Sequence, residues 1–204
     1  MSDIATEARA RESLENSNKD FLIPVKKKEV VKLNLGCGAN KFPGFVNIDV
    51  EPTVEPDVLL DFKRSRLPYK DEVVAEVWMC HTIEHIEKTF HQHLFSEVNR
   101  VLKPNGMFVL TFPNFKECIK NYLENKQGKR DFWEATIYGY QRHPGDYHVA
   151  AIDPLFLSTE LKQYGFREMK SCPESQIEPF NHFLAMAKSY NTITKEDLVK
   201  QEYL

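Results

Sequence analysis

The apolar positions fall into short runs separated by polar punctuation. Val30 to Leu35, Phe45 to Val50, Asp57 to Phe62, Glu76 to Cys80 and Met107 to Phe112 each read as a strand. Runs this short, rich in Val, Ile, Leu and Phe, suit a parallel sheet covered on both faces. Between the fourth and fifth runs, Phe90, Leu94, Val98, Val101 and Leu102 recur at steps of three and four, which is one apolar face of a helix. Lys103-Pro104-Asn105-Gly106 ends that helix, since proline cannot continue the hydrogen-bond ladder and Asn-Gly favours a turn. Residues 158 to 165 predict another short helix, and Phe166 to Ser171 and His182 to Lys188 predict two last strands. Strands alternating with helices predict an α/β three-layer domain.

Two stretches break the alternation. Residues 1 to about 22 are polar, rich in helix formers and without apolar periodicity, so they read as a frayed helix or a disordered arm. Lys26-Lys27-Lys28 then reads as a solvated lead-in to the first strand. Residues 114 to 155 hold two aromatic clusters and the stretch YGYQRHPGDYHVAAID. A long connection of this kind is expected to be a functional lid. There is no internal repeat.

Composition narrows the reading. A chain of 204 residues fits one domain with a real core, and 42% hydrophobic with 28% charged residues reads as globular. The net charge of −3 gives no overall positive field to recruit nucleic acid or an anionic membrane. Cys37, Cys80, Cys118 and Cys172 are far apart and form no CxxC pair, which argues against a zinc ribbon or a redox motif. No apolar stretch approaches a membrane span, and the first 20 residues lack the apolar core of a secretory signal. A reducing, cytoplasmic setting is the expectation.

The candidate chemistry begins at VKLNLGCGAN, residues 31 to 40. A strand ending in Gly36-Cys37-Gly38 puts bare backbone at the ligand edge of an α/β sheet. The next strand ends at Asp49, whose carboxylate can accept from two ribose hydroxyls. The spacing is wrong for a dinucleotide, which needs a third glycine and an acid about 20 residues on. Here Asn40 replaces the third glycine and Asp49 follows Gly36 by 13 positions. Too little chain remains for a crossover helix whose N-terminus could hold a pyrophosphate. A nucleoside without a pyrophosphate suits the site better.

These residues carry a resemblance. LNLGCGANKFPGFVNID resembles the first motif of class I S-adenosylmethionine-dependent methyltransferases, and is most similar to the small type-11 group. The likeness continues through DVLLDF, LPY, AEVWMCHTIEHI, RVLKPNGMFVLTFPN and GDYHVAAID, over roughly residues 31 to 171. It implies a three-layer Rossmann-like fold. The sheet would be mostly parallel, of about seven strands with an antiparallel last strand, and the lid would precede the sixth strand. The catalytic domain would span 29–190, between an arm at 1–28 and a tail at 191–204. The implied cofactor is S-adenosylmethionine, leaving as S-adenosylhomocysteine. By position, Gly36, Cys37 and Gly38 would pass under its amino-acid end. Asp49 would take the ribose, and Val50 would flank the adenine. Asp61 would meet the adenine amino group and the Phe62 backbone a ring nitrogen. Cys80 and His81 would close the site. Asn34 departs from the pattern, since many members carry an acid there.

HTIEH, His81 to His85, matches an inverted zinc-protease signature that would make His81 and His85 ligands and Glu84 a base. Its place directly after a strand, behind a cofactor-type turn, argues against that, and Glu84 and His85 are expected to fix the loop. His91 and His93 lie outside the apolar stripe of their helix and are expected on the solvated surface. His143, Asp146 and His148 announce no full ligand set, so no metal site is expected. Two of Tyr138, Tyr140 and Tyr147 are expected to pack within the lid.

Methyl transfer from a sulfonium depends mainly on alignment. A hydroxyl acceptor would also need a base, and His148 and His81 are the candidates by position. The sequence therefore predicts methyl transfer, O- or N-linked, to a small molecule or glycan. The lack of an Asn-Pro-Pro-Tyr type motif at Cys80 to Ile83 disfavours nucleic acid or protein as acceptor. The alternatives are a nicotinamide-dependent oxidoreductase and a non-catalytic module of the same fold. Acceptor and oligomeric state have no readable code.

Overall fold

The computed structural model describes residues 22–26, 30–143, 145–174 and 180–189. The expected N-terminal helix or arm over 1–21, Lys27, Lys28 and the tail from 191 lie outside the described residues. Ile23 and Val25 already pack against the core, and Ile23 donates to the Pro68 carbonyl.

Among the described residues seven strands form one sheet in the order β3-β2-β1-β4-β5-β7-β6. They are β1 Val31–Leu35, β2 Val46–Asp49, β3 Val58–Leu59, β4 Val74–Cys80, β5 Leu102–Pro113, β6 Phe166–Pro173 and β7 Asn181–Lys188. The first five pair in parallel, and β7 runs antiparallel between β5 and β6. The strand order reverses at β1 and β4, so their carboxyl ends open a crevice suited to a ligand.

Among the described residues the α-helices are α1 His91–Val101, α2 Phe115–Leu123, α3 Arg130–Tyr138 and α4 Pro154–Gln163. α1 buries Leu94, Phe95, Val98 and Val101, as its periodicity predicts. Leu102, expected on the same helix, is already extended and pairs with Val74 in β5. Lys103 to Gly106 then loop out before Met107 pairs with Glu76, and Asn105 takes φ of 61°. α4 starts earlier than the expected 158, because Asp153 caps the Leu155 and Phe156 N–H groups and Pro154 suits the first turn.

The sheet is not equally covered on its two sides. Leu33, Leu35, Val77 and Met79 are fully buried, whereas Lys32, Glu76 and Trp78 on the other face are half-exposed. The cause is the first crossover: residues 36 to 45 contain no helix. Phe42, Phe45 and Trp78 fill the gap as three edge-to-face rings with centroids 5.5–6.0 Å apart. The expectation of a sheet buried on both faces fails here for that reason.

One buried ion pair ties α1 to the loop before β4. Arg100 Nε and Nη2 donate to the two Glu97 oxygens at 2.8 and 2.7 Å, and Arg100 also donates to the Leu67 and Tyr69 carbonyls. Glu97 accepts the Leu67 N–H at 2.9 Å. Burial pushes the Glu97 carboxyl up, but Arg100 and the Leu67 N–H outweigh it and hold it below its ordinary value. Glu97→Gln leaves Arg100 only the exposed Asp71 carboxylate, 2.8 Å from Nη1, and should cost about 1–3 kcal/mol at pH 7 in chemical denaturation. A depressed folded pKa means this stability is present above the unfolded carboxyl value of about 4.3 and lost as pH falls through the folded one. The gap between wild type and variant should therefore narrow progressively as pH falls below about 4 and through the depressed folded value, and a gap that does not change with pH contradicts the assignment.

Candidate active site

The turn after β1 is built from close contacts. Gly36 and Cys37 N–H groups both donate to the Ile48 carbonyl of β2, at 2.8 and 3.3 Å. Gly36 has φ of 70°, and a Cβ there would sit 2.3 Å from Thr82 Cγ2 and 2.6 Å from Thr82 Oγ1. The Thr82 hydroxyl lies 3.4, 3.2 and 3.1 Å from the Leu35, Gly36 and Cys80 carbonyls. The β1 turn thus rests directly on the loop after β4, and only glycine fits. Gly38, with φ of 49°, has open space where its Cβ would point.

Asp49 is buried at the end of β2. It accepts from the Gly38 N–H at 2.8 Å through Oδ2 and from the Glu51 N–H at 2.9 Å through Oδ1. Two backbone donors leave further lone pairs on this carboxylate for a ligand. Beside it an amide network replaces the missing helix. Asn34 is buried and donates to the Asn40 carbonyl at 3.1 Å and to Asn47 Oδ1 at 3.0 Å. Asn47 Oδ1 also accepts the Phe42 N–H, and Asn47 donates twice to Asp57. The Asn34 amide group is thereby a fastener for the turn. Asn47 and Asp57 were not singled out in the sequence; a polar residue in the middle of FVNIDV was the one available signal.

Asp61 follows β3 and pairs with Arg64 Nη1 at 2.9 Å. Phe62 is buried, and its N–H already donates to the Leu60 carbonyl at 3.1 Å. A ring nitrogen could take that donor only by displacing Leu60. Val50 is exposed beside Asp49.

Cys80 ends β4 and His81 follows it. His81 has φ of 50° and donates its backbone N–H to the Thr111 carbonyl. Its side chain, 43% exposed, stands between two carboxylates: Nδ1 is 3.4 Å from Glu84 Oε1 and Nε2 is 3.6 Å from Glu174 Oε2. Burial pushes this imidazole down, but the two carboxylates win and its pKa lies above the ordinary histidine value. Burial raises the thiols of Cys37 and Cys80, and pushes Cys118 up to about 12. None of the three is a thiolate nucleophile at neutral pH.

The protease signature does not form a protease site. Ile83–His85 is a single 3₁₀ turn, so His81 and His85 do not share a helix face. Instead His148 arrives from the distant connection, and Glu84, His85 and His148 converge with potential ligand atoms within 4.8 Å of one another. The Glu84 carbonyl receives the Val149 and Ala150 N–H groups at 2.9 and 3.1 Å. Burial holds the His148 imidazole below its ordinary pKa against the pull of Glu84. Asp146 joins no such cluster. Arg142 binds it through Nε at 2.8 Å and Nη2 at 3.0 Å and holds its carboxyl well below the usual range.

Two surface expectations are corrected. His91 is 1% exposed, with Nδ1 3.1 Å from Glu160 Oε1 and its ring against Phe95, because α4 covers this end of α1. His93 is half-buried, with Nε2 3.0 Å from the Ser65 carbonyl. Tyr138, Tyr140 and Tyr147, two of them expected to pack, are all exposed.

Residues 33–110 match the family model described as a methyltransferase domain. The matched segment starts in β1 and ends in β5, so it contains every strand that lines the crevice. This match marks the crevice-lining segment as similar to a methyltransferase domain. Solved structures agree on the fold. PH0226 from Pyrococcus horikoshii OT3 is 19% identical with a TM-score of 0.55, over 90% of this chain and 92% of that one. A SAM-dependent methyltransferase from Archaeoglobus fulgidus is 16% identical with a TM-score of 0.53, over 89% and 94%. One from Methanosarcina mazei is 15% identical with a TM-score of 0.52, over 84% and 100%. No curated protein matches the sequence. The methyltransferase fold expected from the motifs, with its antiparallel strand order at the end of the sheet, is what the structure has.

A Gly36→Ala substitution tests the close approach in this domain. It adds a Cβ into Thr82 and a left-handed penalty of roughly 1–2 kcal/mol, and should lower the melting temperature. Thr82→Ala removes the two nearest atoms, so the cost of Gly36→Ala should be smaller in that background. Equal costs in both backgrounds would contradict the contact.

Proposed function

We propose that this chain transfers a methyl group from S-adenosylmethionine to a small-molecule or glycan acceptor at the carboxyl edge of the sheet. The observation that carries this reading is the Gly36–Gly38 turn locked beside Asp49, with open space over Gly38. A nucleoside with a short charged tail suits that shape. Gly36, Cys37 and Gly38 would hold the amino-acid tail, Asp49 the ribose hydroxyls, and Val50, Asp61 and Phe62 the adenine side. Cys80 and His81 would close the methionine end. Bound there, S-adenosylmethionine supplies a methyl group activated by a sulfonium leaving group.

The chain's own work is then alignment and proton management. The crevice between β1 and β4 would fix the acceptor in line with the methyl carbon. A hydroxyl acceptor must lose its proton, and of the two candidate bases we assign that role to His81. Its ring is accessible, Glu84 backs Nδ1, and Glu174 at Nε2 is a partner that an arriving hydroxyl would replace. His148 turns its ring toward Glu84 and His85 instead. The nicotinamide alternative loses ground on an observation of this fold, since the helix-free crossover offers no helix N-terminus to a pyrophosphate.

Calorimetry of the full chain with S-adenosylhomocysteine tests the cofactor half. Saturable binding is expected, with at least a tenfold loss in Asp49→Ala. No binding, or tighter binding of NADH, would sink the reading. Labelled methyl transfer into metabolite and glycan fractions tests turnover. His81→Gln should reduce it at least a hundredfold, about the low end for loss of a general base, while leaving cofactor affinity within about threefold of wild type. Cofactor binding without any transfer would support the non-catalytic module.

A further inference from the structure

Glu84 poses a problem that methyl transfer leaves unsolved. The residue is 2% exposed, and neither carboxylate oxygen accepts a hydrogen bond. A buried carboxylate without donors is costly unless a cation compensates it. His81 stands at 3.4 Å on one side, too long for a good hydrogen bond. On the other side two more imidazoles converge. We propose that Glu84, His85 and His148 form a binding site for one divalent d-block cation of the zinc type. The proposal goes beyond the methyl-transfer reading and does not depend on it.

The local chemistry prepares each group to be a ligand. His85 Nδ1 lies 3.0 Å from the Tyr147 carbonyl. A carbonyl only accepts, so Nδ1 carries the proton and the neutral ring keeps its lone pair on Nε2. A metal-bound histidine commonly donates its other N–H in this way, to a backbone carbonyl. The His85 and His148 rings meet edge to face with centroids 4.7 Å apart. Glu84 brings the negative charge that makes the set attractive to a cation. Two imidazoles and one carboxylate suit zinc and its neighbours rather than magnesium, which prefers all-oxygen octahedra.

The backbone is built to hold the set together. His85 and His148 are 63 positions apart, yet the Val149 and Ala150 N–H groups clamp directly onto the Glu84 carbonyl. His148 donates its own N–H to the Tyr138 carbonyl at 3.0 Å. The return that makes this possible passes Gly139, with φ of 81°, where a Cβ would lie 2.0 Å from the Asp146 carbonyl oxygen. Donor atoms within 4.8 Å need only draw in by about 1 Å to reach ligand distances of about 2.0–2.2 Å. A small recess lined by Glu84, Phe115, Cys118, Thr136 and His148 adjoins the cluster and leaves room for a water as fourth ligand. Three protein ligands and one open position is the pattern of a reactive metal rather than a purely structural one. The motif HTIEH thus contributes its Glu and second His, and the third ligand comes from elsewhere.

The test is a Co²⁺ titration of the full, tag-free chain, read by its visible absorption, with Zn²⁺ competition. One equivalent should bind, and Zn²⁺ should displace it. His85→Ala and His148→Ala should each weaken binding at least tenfold, as should Glu84→Gln. His143→Ala, an exposed histidine outside the cluster, should bind as wild type. Circular dichroism confirms that each variant is folded, and calorimetry with S-adenosylhomocysteine reports the cofactor site separately. No saturable binding overturns the proposal and leaves Glu84 as the partner of a protonated His81. Stoichiometric binding that survives both histidine substitutions in folded protein overturns it as well.

Discussion

The contact on which this site depends is the one between Gly36 and Thr82. With a Cβ position only 2.3 Å from Thr82 Cγ2, the turn after β1 and the loop after β4 occupy adjoining space with no margin. That contact fixes two things together. It sets the height of the bare Gly36–Gly38 backbone above the sheet, and it sets where the residues following Thr82 emerge. His81 takes φ of 50° immediately before the contact, and Glu84 and His85 follow in the 3₁₀ turn immediately after it. A change on either side would be felt on the other, so the glycine turn and the histidine cluster form one mechanical unit.

The helix-free first crossover is the second shaping feature. Ten residues, 36 to 45, join two parallel strands that would ordinarily be bridged by a helix. The fold compensates with polar bonds on the ligand side and aromatic packing behind it. Asn34, Asn47 and Asp57 hold the loop by hydrogen bonds, while Phe42 and Phe45 cover Trp78. This explains why Asn stands at 34. An acid there would repel the Asn40 carbonyl and Asn47 Oδ1 that the amide now donates to.

Much of the sheet was legible because each strand is a short apolar run, and the spacing from Gly36 to Asp49 correctly left no room for a crossover helix. The strand ends were less legible. Leu102 fits the helical stripe of α1 by period, yet tertiary pairing with Val74 pulls it into β5. His91 sits outside that stripe and still buries, because its neighbour α4 comes from a segment some 60 positions away. Period reports the face a helix turns to its own sheet, not what later chain lays over its flank. The histidines show the same limit. HTIEH suggested a pair at i and i+4, but a 3₁₀ turn separates that pair, and His148 could be placed beside Glu84 only by the backbone clamp of Val149 and Ala150.

The central claim is that the locked glycine turn and Asp49 form a nucleoside site without a pyrophosphate cradle. A crystal structure of the full chain with S-adenosylhomocysteine tests it most directly. Ribose hydroxyl oxygens should lie within about 2.5–3.0 Å of the Asp49 carboxylate, with the amino-acid tail over Gly36 to Gly38. A nucleoside bound elsewhere, or one whose ribose makes no contact with Asp49, would contradict it.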